Sequence, residues 1–360
     1  MKKITIFPYH QDCHTLVKHR DSLTDCTVHG FLSFKEDARR INDLNLALGL
    51  IDFSYDRLMH DTDAVVIIDN YRGYRPDKYY QVIEDAIQLG KEVLITPHAQ
   101  TELKLDAYKD SYSTLERLFD YTDDSADAYS HGQEITMYKS DVPIFGVLGF
   151  GKHCGKFETL LTIKEVLERN HSAVTVSPNS LGALFGCYTM PQFLYEERSF
   201  QEKIVRLNHY FKRLEKALNP ELVIFGIPEG TAPFRKKEYH HFAEYPLIAS
   251  YALKIDIAAF CTYFLYGPNL AKGLKSFAER CAEKFGISVQ AYAISKTRYE
   301  IPNEEYEKVI YEFFSDEFIA ENYPDAASSG LPIIDHANRE QAIAVIENCI
   351  EILKGNVDVM

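Results

Sequence analysis

The chain has 360 residues, of which 46% are hydrophobic and 26% charged, a balance that excludes a disordered protein and predicts two or three domains at roughly 100–200 residues each. With 39 Lys+Arg against 53 Asp+Glu the net charge is −14, a field that repels phosphate backbones and anionic membranes, so neither nucleic acid nor a membrane is an expected partner. No apolar run nears the roughly 20 residues that a bilayer span needs. Met1-Lys2-Lys3 leads straight into ITIF, too short for a secretory signal, and the seven cysteines form no CxxC pair. A reducing cytoplasm is the expected location.

Strand-like runs alternate with helix-period segments, which predicts an α/β fold of two tandem doubly wound units with parallel strands. Residues 1–120 form the first, a Rossmann-like domain, with strands at 3–7, 27–34, 64–69 and 92–96 and a helix at 77–89 closed by Gly90. The near-continuous apolar first and third strands suit a sheet covered on both faces. Ligands of such sheets bind outside the carboxyl ends of the strands. Those ends carry Pro8-Tyr9-His10-Gln11-Asp12-Cys13-His14, Asp69-Asn70 and His98. Tyr9, His10 and His98 are candidate substrate-binding residues of a polar pocket, with ordinary loop residues as the alternative. The HxxCH spacing also suggests a metal, but zinc sites show a second, similarly spaced pair, which is missing here.

Residues 121–141 are acidic and nearly free of aliphatics. They read as an interdomain linker, or else as a long surface loop. The second unit, residues 142–360, opens with a buried strand at 142–148 and a glycine-rich turn, followed by a helix at 157–168 and a strand at 173–176. A helix at 199–218 starts with a capping box of Ser199 and Glu202 and is stopped by Pro220. Strands at 222–227, 257–264 and 288–294 follow, with a helix at 270–285 between the last two and a C-terminal helix from Asn338 to about Gly355.

The turn Gly149-Phe-Gly-Lys-His-Cys-Gly-Lys156 lies between an apolar strand and an amphipathic helix. Glycines there let the backbone aim several N–H groups into one concavity, and the helix adds the positive end of its dipole. Lys156 then reaches β- and γ-phosphates. The run departs from GxxxxGK[ST], with Phe150 and Phe157 at the glycine and hydroxyl positions. Its G-x-G-x-x-x-G-K form resembles instead the loop of dethiobiotin-synthetase-like P-loop NTPases. Gly149, Gly151, Lys152, Gly155, Lys156 and Thr159 are the candidate contacts to ATP or GTP. Lys156 and Glu229 are the candidate catalytic residues. Thr159, the nearest hydroxyl, and Glu229, after the strand LVIFGI, are the candidate Mg²⁺ ligands, although Gly226 stands where such an acid more commonly falls. Asn179 and Ser180 would orient a polar group of the substrate, or form an Asx-type turn. Cys154, beside a helix N-terminus, is either an activated thiol or a small structural residue.

Together, IFPY, VLGFGKHCGKF, SPNSLGALFG and FGIPEG resemble the clostridial peptide maturation system proteins, encoded beside radical-SAM enzymes and bacteriocin-like precursor peptides. The resemblance covers most of the chain. It implies ATP- or GTP-dependent phosphoryl transfer or ligation during maturation of a ribosomal peptide or related metabolite. A small-molecule or peptide substrate and a partner enzyme of the same cluster are the partners it suggests, and a second copy of the chain is a further expected partner. Phe157 in the hydroxyl position supports the competing reading, a non-catalytic scaffold with a degenerate loop. A dinucleotide oxidoreductase is disfavoured, because no GxGxxG follows the first strand.

Overall fold

In the computed structural model the alternating pattern resolves into two units: Met1–Arg117 with Asn179–Thr189, and Leu118–Pro178 with Met190–Met360. The structure describes residues 1–10, 13–34, 55–70, 73–120, 136–231, 243–264, 270–300, 309–315, 318–319 and 330–357. The expected linker at 121–141 lies outside them up to residue 135. Residues 136–141 run along a helix of the second unit: Tyr138 N–H donates to Asn208 and Asp141 N–H to Glu215.

The first unit has five parallel strands, β1 (Lys2–Phe7), β2 (Cys26–Phe31), β3 (Ala64–Ile67), β4 (Glu92–Ile95) and β5 (Ser113–Thr114), in the order β2-β1-β3-β4-β5. Helices α1 (Cys13–Lys18), α2 (Tyr55–Asp61), α3 (Pro76–Gln88) and α4 (Pro97–Leu103) connect them. α3 buries Tyr79, Val82, Ile83 and Ala86, the spacing of a single helix face. Gly90, at φ 65°, ends it in a Schellman motif, with Gly90 N–H on Ile87 O and Lys91 N–H on Ala86 O. Phe7, Val65, Ile67, Val93 and Ile95 pack with α3 in one apolar cluster. The segment Asn179–Thr189, which carries the short strand β8 (Tyr188–Thr189), clusters with this unit.

In the second unit, β6 (Ile144–Gly149), β7 (Ala173–Ser177), β9 (Leu222–Gly226), β10 (Ile257–Thr262), β11 (Val289–Ile294) and β14 (Ile333–Ile334) lie parallel in the order β14-β11-β10-β6-β9-β7. Every residue of β6, β9 and β10 is buried, as expected for central strands of a sheet covered on both faces. The helices are α5 (Lys156–Leu167), α6 (Phe200–Leu218), α7 (Glu244–Ala252), α8 (Leu270–Phe285) and α9 (Arg339–Val357). Half of the expected capping box forms at α6. Ser199 Oγ accepts from Glu202 N–H, while the Glu202 carboxylate pairs with Arg198 and Arg206. α6 ends on Asn219 at φ 46°, one residue before Pro220. An antiparallel pair, β12 (Thr297–Glu300) with β13 (Ile310–Phe313), is an addition that strand alternation did not predict. The fold is thus α/β, with a parallel sheet in each of the two units, the first Rossmann-like.

No helix among the described residues is long and apolar enough to cross a membrane. All seven cysteines are free and buried. Burial pushes the Cys281 thiol up to about 12 and the Cys349 thiol to about 11. Both therefore stay protonated, and poorly nucleophilic, at pH 8. We expect Ellman's reagent at pH 8 to titrate the native protein on the order of a hundred-fold more slowly than the protein in denaturant, because reaction needs both opening and ionisation. Rapid reaction of the native protein would contradict this packing.

Candidate functional site

The glycine-rich turn joins β6 to α5, and three close approaches shape it. A Cβ on Gly149 would lie 2.5 Å from Cys154 Sγ and 2.8 Å from Cys261 O, so the turn folds back on its own strand only because position 149 has no side chain. Gly155, at φ 82°, is the residue before α5 and packs on Ser295, 3.1 Å from where its Cβ would be. A Cβ on Gly230 would lie 2.4 Å from Phe150 O, so the chain after β9 presses directly on the turn. His153 also has positive φ, 55°. Two left-handed residues in three curl the backbone in the manner of an anion-binding nest.

Phe150 N–H donates to Cys261 O at 2.9 Å. The N–H groups of Gly151, Lys152, Gly155 and Lys156 meet no acceptor among the described residues. The Lys156 ammonium sits inside the turn, donating to Gly151 O at 3.0 Å and to Glu229 O. An ammonium has three donors, so one remains for another partner. Gly151 O also accepts from the Cys154 thiol at 3.1 Å. Cys154 is therefore a buried structural residue and not an exposed nucleophile. Burial and the neighbouring Cys154 push the Cys261 thiol up.

Glu229 has φ 54° and pairs with the exposed Lys152 across the turn, Nζ to Oε1 3.3 Å. Such a solvent-facing pair contributes at most about 1 kcal/mol. Thr159 is fully buried. Its hydroxyl donates to Gly155 O at 2.9 Å and contacts His336 Nε2 at 3.1 Å, while His336 Nδ1 meets the Thr162 hydroxyl at 3.2 Å. The hydroxyl expected to serve Mg²⁺ is thus already committed to the first turn of α5. At Gly226, a Cβ would lie 2.6 Å from Pro178 Cδ and 2.7 Å from Leu160 Cδ1. That contact leaves no room for a side chain there; Glu229, three residues later, is the carboxylate that reaches the turn, through Lys152.

The hairpin β12–β13 packs its aromatic face on the other side of the turn. Tyr299 stacks near Phe150 at 6.2 Å, and Tyr311 meets His153 edge-on at 4.8 Å. Tyr263, just past β10, donates its hydroxyl to Lys152 O at 2.5 Å and contacts Tyr299 at 4.8 Å. Burial raises the Tyr263 phenol far above its usual range, so it stays a donor. Sequence reasoning missed Tyr263 and His336. The carboxyl-end rule applied to β10 would have found Tyr263. His336 follows a two-residue strand that leaves no sequence signal.

The remaining candidates belong to the first unit. Asn179 Oδ1 accepts from Leu181 N–H at 3.0 Å and caps the 3-10 turn Ser180–Phe185, the Asx-type alternative. Tyr9 is buried and bonds His14 Nε2 at 2.5 Å; burial pushes its phenol far up. His10 O accepts from Cys13 N–H at the start of α1. His98 lies in the first turn of α4, exposed, with its ring 6.1 Å from that of Tyr74. Gln11 and Asp12 lie outside the described residues, and no group of three His, Cys, Asp or Glu suited to a metal occurs among the described ones. The HxxCH spacing is a helix start, with Cys13 and His14 on its first turn.

Gly226→Ala, which drives a methyl into Pro178 and Leu160, should cost about 1–3 kcal/mol of stability as overpacking, read from urea unfolding. Tyr263→Phe should cost about 1 kcal/mol through the lost bond to Lys152 O. An unchanged urea midpoint in either variant would refute the corresponding contact.

Among solved structures, the chain is similar to a DUF1611 family protein from Anabaena variabilis ATCC 29413, at 13% identity and a TM-score of 0.59, over 97% of this chain and 100% of that one. At this identity the likeness shows a common α/β fold. A pseudomurein peptide ligase type C from Methanothermus fervidus overlaps at 12% identity and a TM-score of 0.27, over 81% of this chain and 44% of that one, too low a similarity to carry an argument. No family model matches the sequence, and no curated protein matches it.

Proposed function

We propose that the second unit binds ATP or GTP at the turn 149–156 and uses it for phosphoryl transfer or ligation on a small-molecule or peptide substrate. The observation that carries this reading is the Lys156 ammonium, seated in a glycine-closed turn, with the amides of Gly151, Lys152, Gly155 and Lys156 meeting no acceptor among the described residues. Amides and an ammonium converging at a helix start suit a polyphosphate. Lys156 would neutralise charge on the transferring phosphate, and Lys152, released from Glu229, would supply a second cation. The Glu229 carboxylate would then be free for Mg²⁺. Thr159 would join it only by giving up its contact with His336. In this reading the protein works in the cytoplasm on maturation of a ribosomal peptide or related metabolite, with a partner enzyme of the same pathway or a second copy of itself.

A second reading has its own observation. Phe157 occupies the hydroxyl position, and Thr159 is buried and engaged, an arrangement that favours nucleotide binding without turnover, as in a scaffold protein. Calorimetric titration with ATP and GTP tests both. Lys156→Ala should weaken binding at least about tenfold, the effect of one charge-assisted contact. Equal affinity in the variant would refute the site. Phosphate release with and without Mg²⁺ separates the readings: Mg²⁺-dependent release supports the enzyme, and binding with no release supports the scaffold.

A further inference from the structure

The first unit carries a second arrangement that the nucleotide reading does not use. In the order β2-β1-β3-β4-β5 the chain reverses direction across the sheet between β1 and β3. Parallel sheets of this order open a ligand crevice there, outside the carboxyl ends. Past β1, the backbone leans towards β2, with Tyr9 N–H on Leu32 O at 2.7 Å. Past β3, it leans towards β4: Asp69 Oδ1 accepts from the Thr96 hydroxyl at 2.7 Å and from the Tyr74 hydroxyl at 3.3 Å. Two donors on one oxygen fix the carboxylate, while Oδ2 takes no hydrogen bond or ion pair from the described residues.

Four facts decide what such a group would hold. Asp69 is half-buried and pairs with no Lys or Arg among the described residues, so its charge has neutral hydrogen-bond donors but no cation beside it. Glu102 adds negative potential, since it and Asp69 both push the Tyr74 phenol up, after the larger effect of burial. Aromatic rings stand beside the carboxylate: Tyr74 lies 6.1 Å from His98 and 5.3 Å from Tyr79. No glycine-rich turn follows β1 or β3, so a phosphate has no nest of amides to enter. We infer that the Asp69 carboxylate at the β1/β3 switch point, held by Thr96 and Tyr74, binds the ammonium group of a small amine. The carboxylate would supply the ion pair and the Tyr74 ring a cation–π face.

The test uses the full chain and two isosteric probes, n-butylammonium and n-butanol, titrated by calorimetry and by the amide resonances of Asn70, Thr96 and His98. Butylammonium should bind and shift those resonances, and butanol should do neither. Asp69→Asn, which keeps the shape and can still accept from Thr96 and Tyr74, should weaken binding at least about tenfold, the loss of one charged partner. Should that variant fail to fold, Tyr74→Phe, which keeps the ring and removes one donor, should weaken binding about threefold. Lys156→Ala should leave butylammonium binding unchanged, so failure here and failure of the nucleotide site are separate results. Equal binding of butanol, undiminished binding by Asp69→Asn, or shifts confined to other residues would each overturn the inference.

Discussion

A lysine ammonium drawn onto two backbone carbonyls organises the second unit. Lys156 is the first residue of α5, and its side chain returns over the turn that precedes it to reach Gly151 O and Glu229 O. Both acceptors are neutral, so the positive charge is held in place and not cancelled. The close approaches at Gly149, Gly155 and Gly230 serve that geometry, since a side chain at any of them would collide with the turn or with its neighbours. The buried strands β6, β9 and β10 supply the rigid edge from which the turn and the Glu229 loop project. Anion affinity at such a place would come from backbone amides fixed before any ligand arrives.

The elements that position this turn were legible because their signals are local. The apolar run before Gly149, the amphipathic stretch after Lys156 and the Ser199 and Asn338 caps each depend on residues a few places apart, and each appears where the pattern put it, within a residue or two. Less could be read where the cause lies far away in sequence. Glu202 fits a capping box on spacing alone, but Arg198 and Arg206 compete for its carboxylate. Thr159 looks like an available hydroxyl until His336 arrives from 177 residues away. The hairpin β12–β13 leaves no signal in strand alternation, because its alternating aromatics matter only once they meet Phe150, His153 and Tyr263.

The first unit shows the same division. Its first four strands and the Gly90 stop follow from apolar runs and one glycine, whereas the strand order does not. Tyr9, His10 and His98 stand out in the sequence by residue type and by their place at strand ends. The better-organised polar group is Asp69 with Thr96 and Tyr74, two of which lie at those same ends. Residue type favoured the histidines, whereas hydrogen-bond geometry favours the carboxylate, and geometry is the property that a single sequence does not carry.

Glu229 stands between the two lysines of the turn, with its main-chain oxygen on Lys156 and its side-chain oxygen on Lys152, while the next residue abuts Phe150. One residue therefore meets both cations at once. A shift of residue 229 as a whole would loosen the hold on the inner ammonium and carry away the partner of the outer one, so the two positive charges of the turn are yoked to a single position.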